Sequence, residues 1–549
     1  MAAMLLSQTA HGLILGPNDV DVVADQTTTD ANGNSVLAVS TTWTADKTYV
    51  LTDKVFVTGG ATLTIDPGTR IYSTLDDQSD GDATNDEFGA VIVTRGSMID
   101  AAGTCEAPII FDSIDNLEAE RGVDIDGDAV VATALGYQDV AKWGGVILLG
   151  NAIVSQYDGS GLVGEDQIEG FSEAVSPTND LDGDNRVDIV EYGGGTTPDN
   201  ADNSGVLQYV SIRHGGRTFV ANKEINGLTL GGVGSGTTID HVEVFANSDD
   251  GIEFFGGTVN TSHMVMAYNF DDGFDFDEGH SGEHQFWLVV QDHAPVSGAD
   301  NGGEWDGTDG SKAGTNILSA PKLFNLTFVG PGTNGGVDLG NDKGNNAMLM
   351  DDLFNGKVYN SVFTEFSGWL IELEGDGDGG SLVFRNNLIG AFGQYDGFDN
   401  LSVLDADART TFAPIAGGGE LFDDFGDPVN GNTAPGTDPM FRDLTLGSVY
   451  DLRPAAGSPL LSGATTTAAV AGASAFIGDP GYRGAFDADS NWASLCGWTK
   501  LSQTIMMPSG LDLGPNDVDV VAEQTTTDAN GNKVLAVDTD WTADKTYVL

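Results

Sequence analysis

Positive charge is what this sequence has least of. Its 549 residues carry 22 Lys and Arg against 83 Asp and Glu, a formal net charge of −61. Such a chain repels phosphate backbones, which excludes nucleic acid as a partner and argues equally against anionic membrane surfaces. Long apolar runs are missing too. None reaches the roughly 18 residues that a membrane-spanning helix requires, so no membrane insertion is expected. Cysteine is reduced to Cys105 and Cys496. Two residues so far apart cannot form a disulfide framework, and they read as two buried thiols, with a bond between the end of one unit and the start of the next as the alternative. There is no CxxC, no HExxH and no long amphipathic helix pattern.

What is present is 40% apolar residues, 76 glycines and a regular alternation, which together indicate a folded chain and not a disordered acidic one. The alternation is clearest where NSDDGIEFF, from Asn247, is followed 22 residues later by NFDDGFDFD, from Asn269. At that offset Val242 superposes on Met264, Val244 on Met266, Ile252 on Phe274 and Phe254 on Phe276. In a third copy Phe286, Leu288 and Gln291 are expected to continue the rows of Met264, Met266 and Asn269. Strands repeating at this period bury their apolar face only by stacking, which predicts an all-β, right-handed parallel β-helix with long Gly/Asp/Asn-rich loop insertions. Later strands end on Asn, in NLTF, YNSVF and RNNLI, a pattern suited to side-chain ladders from coil to coil.

A second repeat operates at larger scale. Gly12–Leu51 recurs as Gly510–Leu549, 498 residues on, with 35 of 40 positions identical, and LSQT recurs at Leu6–Thr9 and Leu501–Thr504. The predicted organisation is a leader remnant or the end of a preceding unit (1–11), one complete β-helix unit (12–509) and the start of a second tandem unit (510–549). Within the unit, 155–204 reads as a calcium-loop insertion and 451–509 as a C-terminal cap or junction over the last coil.

The stretches WTADKTYVLTDKVFVTGGATLTIDPGT, WGGVILLGNA, RHGG, EINGLTLGGVGSGTTIDHVEVFANSDDGIEFFGGTVN, QFW and GYRGAFD…NWA…GWT are similar to a family of secreted bacterial right-handed parallel β-helix proteins, usually described as surface or sorted proteins. The resemblance runs from about Trp43 to Thr499. It implies the fold and a secreted, cell-surface location, and it brings no established catalytic residues.

Two acidic constellations point to calcium. In DLDGDNRVDIVE, Asp180, Asp182, Asp184, Asp188 and Glu191 fall at positions 1, 3, 5, 9 and 12 of an EF-hand-type loop, with the Arg186 carbonyl at position 7. In the repeated turn, Asp249 lies over Asp271 and Asp250 over Asp272, with Glu253 over Asp275. Like charges stacked at the strand spacing require hydration or a cation between them. Asp76–Asp86, Asp124–Asp128 and Glu374–Asp378 are weaker acidic turns. His280, His284 and His293 raise zinc only faintly, because HSGEH lies in a Gly-rich turn and not on a helix.

The expected role is therefore structural and not enzymatic: a calcium-stabilised extracellular repeat, partnered end to end by copies of itself or by adjacent tandem units, forming a fibre, sheath or surface layer. The alternatives are an adhesin that binds extracellular glycans, or a polysaccharide lyase or hydrolase drawing on Asp249, Asp250, Asp271, Asp272, Arg213 and His214.

Overall fold

The computed structural model describes residues 13–76, 87–158, 161–168, 186–218, 225–293, 299–308, 317–333, 345–373, 382–393, 431–470, 472–505 and 507, with the backbone alone of Ser7–Gln8 and of short strands from Asp517 onward. Among the described residues ten coils follow one another, their first strands beginning at Thr41, Thr62, Met98, Gly205, Thr238, Asn260, Glu283, Lys322, Lys357 and Val383, here coils 1 to 10. Each strand pairs in parallel with its counterpart in the next coil, giving one sheet of 17 strands and a second of 11. The architecture is an all-β parallel β-helix. A lead-in strand Asp19–Asp21, a short helix Val22–Gln26 and a hairpin of Thr28–Thr29 with Ser35–Leu37 supply the rungs on which coil 1 is laid.

The register follows the repeat. Val242 pairs with Met264, Val244 with Met266, Ile252 with Phe274 and Phe254 with Phe276. All eight side chains are buried in one core that runs the length of the stack. Between coils 6 and 7 the register departs from expectation, since Met264 meets Trp287 and Met266 meets Val289. The turn 278–282 is one residue longer than its predecessor 256–259, and in a strand a slip of one residue exchanges the two faces. Trp287 thus enters the core, its ring stacked on Phe274 at 3.7 Å, while Phe286 and Leu288 face outward.

Within the larger sheet every coil from 4 to 10 turns on one residue in the left-handed region: Tyr209, His241, His263, Phe286, Asn325, Asn360 and Asn386, with φ between 48° and 60°. That conformation is inexpensive for Asn and costly for Tyr and Phe. Stacking offsets the cost where the row is aromatic, with ring centroids 4.3 Å apart from Tyr209 to His241, 4.3 Å from His241 to His263 and 4.9 Å from His263 to Phe286. Asp240 joins the row by accepting hydrogen bonds from both His241 and His263 Nδ1, each at 2.9 Å. The Asn-rich strands therefore do form ladders, at this bend. The N–H of Leu326 donates to Ser361 Oγ, that of Ser361 to Asn387 Oδ1, and that of Asn387 to Asn432 Oδ1.

The segment from 431 to 505 covers the last coil only at its start, where the N–H groups of Thr433, Gly436 and Thr437 donate to the carbonyls of Asn387, Gly390 and Ile389. It runs back along the outside of the bend as a strap. Asn386 and Asn360 donate to the carbonyls of Gly463 and Thr465, Gln285 exchanges two hydrogen bonds with Gly478, and Asn325 donates to the carbonyl of Tyr482. Farther on, Trp492 sits edge-on to His263 and Trp498 edge-on to Tyr209. The outward apolar residues Phe245, Val265, Leu288 and Val290 pack beneath Tyr450, Leu452, Phe486, Trp498 and Leu501, which is why those strands are apolar on both faces. The strap reaches coil 3, where Cys105 and Cys496, expected as separate buried thiols, form a disulfide with Cα atoms 5.6 Å apart. Sequence distance had suggested opposite ends of the stack, and the returning strap removes that separation.

The strap is locked by Glu243 on coil 5. This buried carboxylate accepts from the N–H groups of Lys500 and Leu501, at 2.6 and 2.8 Å, and from Ser211 Oγ at 2.5 Å. Removing a buried acceptor that serves several donors costs about 3 kcal/mol. Glu243→Ala is accordingly expected to lower the thermal midpoint by several degrees and, after reduction of the disulfide, to expose 495–505 to limited proteolysis before the coils are cut. An unchanged midpoint and cleavage order would refute this role.

Candidate metal centre

One outward position of the second sheet can be followed along the stack: Val36, Phe56, Ile92, Ile147, Thr229, Glu253, Asp275, Glu304, Leu349 and Glu372 are successive partners. The first four are apolar because Val154, Ile168, Val187, Val190 and Tyr192 of the following insertion pack over them. From coil 5 to coil 7 the row is acidic, with neighbours about 4.8 Å apart. A parallel row, two residues on, pairs Phe255 with Asp277 and Asp306 with Asp351. At the preceding turn, Asp250 Oδ1 accepts the N–H of Asp272 at 2.9 Å, and Asp272 Oδ1 accepts that of Asn301 at 2.6 Å. Asn301 in turn accepts from the N–H of Asn346 at 3.2 Å. This turn ladder positions the acids.

The carboxylates disturb one another. Burial, then Asp249, Asp272, Asp271 and Glu253, push Asp250 well above the carboxylate range. Burial, then Glu253, Asp250, Glu304 and Asp306, do the same to Asp275. Asp272 is raised by burial, then by Glu304, Asp271 and Asp300. Asp306 is pushed up to about 9 by burial and then by Asp277, Glu304 and Asp351. At neutral pH these groups hold protons or share a cation.

The donor set fits calcium, a hard ion that takes six to eight oxygens at about 2.4 Å. Oxygens of Asp250, Glu253 and Asp275 lie within 4.8 Å of one another, as do those of Asp249, Asp250 and Asp271. Asp275 Oδ1 is buried without a hydrogen-bond partner. Asp250, Glu253 and Asp275, with Asp249 and Asp271, are the residues that would hold the ion. Its contribution would be charge neutralisation in the rows. Asp272, the fourth ligand expected from the repeated turn, belongs to neither group and faces Glu304 and Asn301. Glu304 and Asp306 escaped the sequence reading, although GGEWD repeats the pattern of GFDFD. An insertion within coil 7, between its strands Glu283–Val290 and Gly303–Asp306, stretches the offset from Asp275 to Glu304 to 29 residues and hides the match.

The EF-hand-type loop stands differently. Asp180, Asp182 and Asp184 lie outside the described residues. Glu191, expected at the closing position, is buried, with Arg95 Nη2 at 2.5 Å from one carboxylate oxygen and Arg186 Nη1 at 3.8 Å from the other. A carboxylate flanked by two guanidiniums has its charge met, and the Arg186 side chain contributes to that here. Asp188 opens a short 3₁₀ turn ending at Val190. Of the weaker turns, 77–86 and 374–378 lie outside the described residues. Asp124–Asp128 is folded onto Glu118, which accepts the N–H groups of Ile125, Asp126 and Ala132, at 2.5, 3.1 and 2.9 Å.

His280, His284 and His293 do not come together as one group. His280 and His284 are buried inside the stack with their Nε2 atoms 3.0 Å apart; His280 Nδ1–H donates to the Gly256 carbonyl and Thr261 Oγ1 bonds His284 Nδ1. Burial holds His280 down to about 4. His293 lies elsewhere, over Gly447, where an added Cβ would fall 2.0 Å from its ring. Arg213 and His214, named for the enzymatic alternative, are engaged elsewhere: Arg213 Nε donates to Ser211 Oγ at 2.7 Å, and His214 Nδ1 bonds the Asp139 carbonyl at 2.7 Å, both side chains buried.

The stacked coils define a class of protein that comparison names. The chain belongs to the family described as the pectate-lyase-like beta helix domain, which matches residues 35–131 and 123–376. No curated protein and no solved structure matches it.

The raised carboxyl groups give a pH dependence of definite sign. An acid whose pKa is higher folded than unfolded stabilises the fold below about pH 4 and loses that contribution as pH rises toward its folded value. In EGTA the thermal midpoint should therefore fall between about pH 5 and pH 9, where Asp306 titrates. Millimolar Ca²⁺ should flatten the curve, and Asp275→Asn should flatten it without calcium. A midpoint in EGTA that does not move with pH would show that the rows are relaxed.

Proposed function

We propose that this chain is a structural repeat unit of an array outside the cell, its acidic rows neutralised by Ca²⁺ and its units joined in tandem. The observation that carries this reading is the duplicated opening segment. In the first copy, Asp19, Val20 and Asp21 pair with Thr48, Tyr49 and Val50, while Thr28 and Thr29 pair with Val36 and Ser35. The second copy repeats both patterns, with Asp517, Val518 and Asp519 against Thr546, Tyr547 and Val548, and Thr526 and Thr527 against Val534 and Lys533. The segment thus has the pairing needed to found another stack. The Cys105–Cys496 disulfide supports an oxidising compartment, as in secreted and surface proteins.

Family membership favours a second reading, a polysaccharide lyase or hydrolase using the acidic turn. Against it stand Arg213 and His214, the basic groups that the sequence offered, which the fold buries under other contacts. One comparison separates the two. Electron microscopy of the purified chain in millimolar Ca²⁺ and in EGTA, beside assays on acidic and neutral polysaccharides, should show calcium-dependent regular assemblies and no turnover. Polysaccharide cleavage that disappears in Asp249→Ala or Asp271→Ala would replace the structural reading with the enzymatic one.

A further inference from the structure

The course of the strap decides where a following unit can sit. If coils simply ended at coil 10, the next unit would continue the stack, the end-to-end arrangement that the repeat first suggests. Instead the chain travels back along the stack before it leaves. The strap ends in the helix Lys500–Thr504, whose first residues are held by Glu243 on coil 5, and Met507 just beyond is still buried in the cluster beneath it. Only five residues, Ile505–Ser509, separate that helix from Gly510, where the repeated segment opens.

The opening of a unit is itself fixed. In the first copy Leu13 and Leu15 are buried against Val50 of coil 1, Tyr72 of coil 2, and Ile114, Leu117 and Ile125 of an insertion within coil 3, and Ile14 N–H donates to the Ile125 carbonyl at 2.7 Å. Leu511 and Leu513 are their counterparts. In a second unit built like the first, Leu511 lies at the level of that unit's coils 1 to 3. From Leu501 to Leu511 the chain spans at most about 30 Å, one short helical run followed by seven extended residues. Placing the second unit on top of coil 10 would put its coil 1 at least seven coil steps above Glu243, about 34 Å along the axis before any sideways displacement. The chain is too short.

We propose that successive units lie flank to flank, each opening beside the middle coils of its predecessor near the strap's end, so that the tandem chain forms a raft and not a longer rod. The partner surface is the flank of coils 3 to 6 where the strap ends and where Leu495 stands 43% exposed beside the disulfide. The occupant is the first coils of the next copy. This placement rests on the tandem reading above, but not on calcium or on the absence of catalysis.

The test is small-angle X-ray scattering on a chain carrying residues 12–509 twice in series, compared with the present 549-residue chain, with amide exchange to count protected coils. Flank-to-flank units predict a maximum dimension increased by less than about 1.5-fold and a larger cross-sectional radius. A maximum dimension close to doubled at constant cross-section would overturn the proposal and leave the tandem reading standing. A second half without protected amides would overturn both. With the Cys105–Cys496 disulfide reduced, a Glu243→Ala version of the double chain should lengthen toward the extended limit as both anchors are released, and no change on releasing them would also count against the proposal.

Discussion

The structure depends on a column of left-handed residues that runs through coils 4 to 10. Seven successive coils turn at Tyr209, His241, His263, Phe286, Asn325, Asn360 and Asn386. A single strained residue of this kind costs of order 1 kcal/mol or more. A column of them persists because each is supported by the next. Where the chain spends a costly aromatic, it recovers ring stacking, and where it uses Asn the conformation is inexpensive and the amide is free to bond outward. Those amides and rings are what the strap reads. The bend therefore both shapes the stack and supplies the surface on which residues 431–505 are laid, so coil geometry and strap position are one constraint and not two.

Coverage explains the composition of the outer rows. The outward face of the first sheet is apolar where the strap lies on it, at Phe245, Val265 and Leu288. The outward face of the second sheet is apolar where the insertion after coil 3 lies on it, at Phe56, Ile92 and Ile147. The same position turns acidic beyond that cover, at Glu253, Asp275 and Glu304. Yet Asp250 and Asp272 at the adjoining turn are nearly inaccessible and surrounded by other carboxylates. Ordinary surface acid would spread outward into water. Here the turn ladder pins acid next to acid, an arrangement that needs protons or a divalent ion to be stable at neutral pH.

Much of this could be read from the chain, because a period of about 22 residues writes the coil register directly into the sequence. The pairings of Ile252 with Phe274 and Phe254 with Phe276 followed from alternation alone. The reading faltered where a loop changed length. One extra residue in 278–282 moved Trp287, and not Phe286, into the core, and a longer insertion concealed Glu304 as the third member of the acidic row. The strap was illegible for another reason. It has no period, since it is held by side chains of eight different coils, and nothing local distinguishes a segment that covers an end from one that covers a flank. The disulfide was lost with it, because only the strap's path brings Cys496 to Cys105.

Repeated sequence, finally, does not guarantee repeated structure at the joints. LSQT stands twice in the chain. In its first occurrence Ser7 and Gln8 form a strand antiparallel to Ile14 and Leu15. In its second, the same four residues are the body of the helix Lys500–Thr504, with Thr499 at its N-cap and Glu243 receiving its first N–H groups. The tetrapeptide has no strong intrinsic preference, so the available hydrogen-bond partner decides its conformation. The second occurrence follows a strap and finds a buried carboxylate waiting. Coils can be nearly copied from unit to unit because they carry their own partners in the neighbouring coil, whereas a joint takes its conformation from whatever it is laid against.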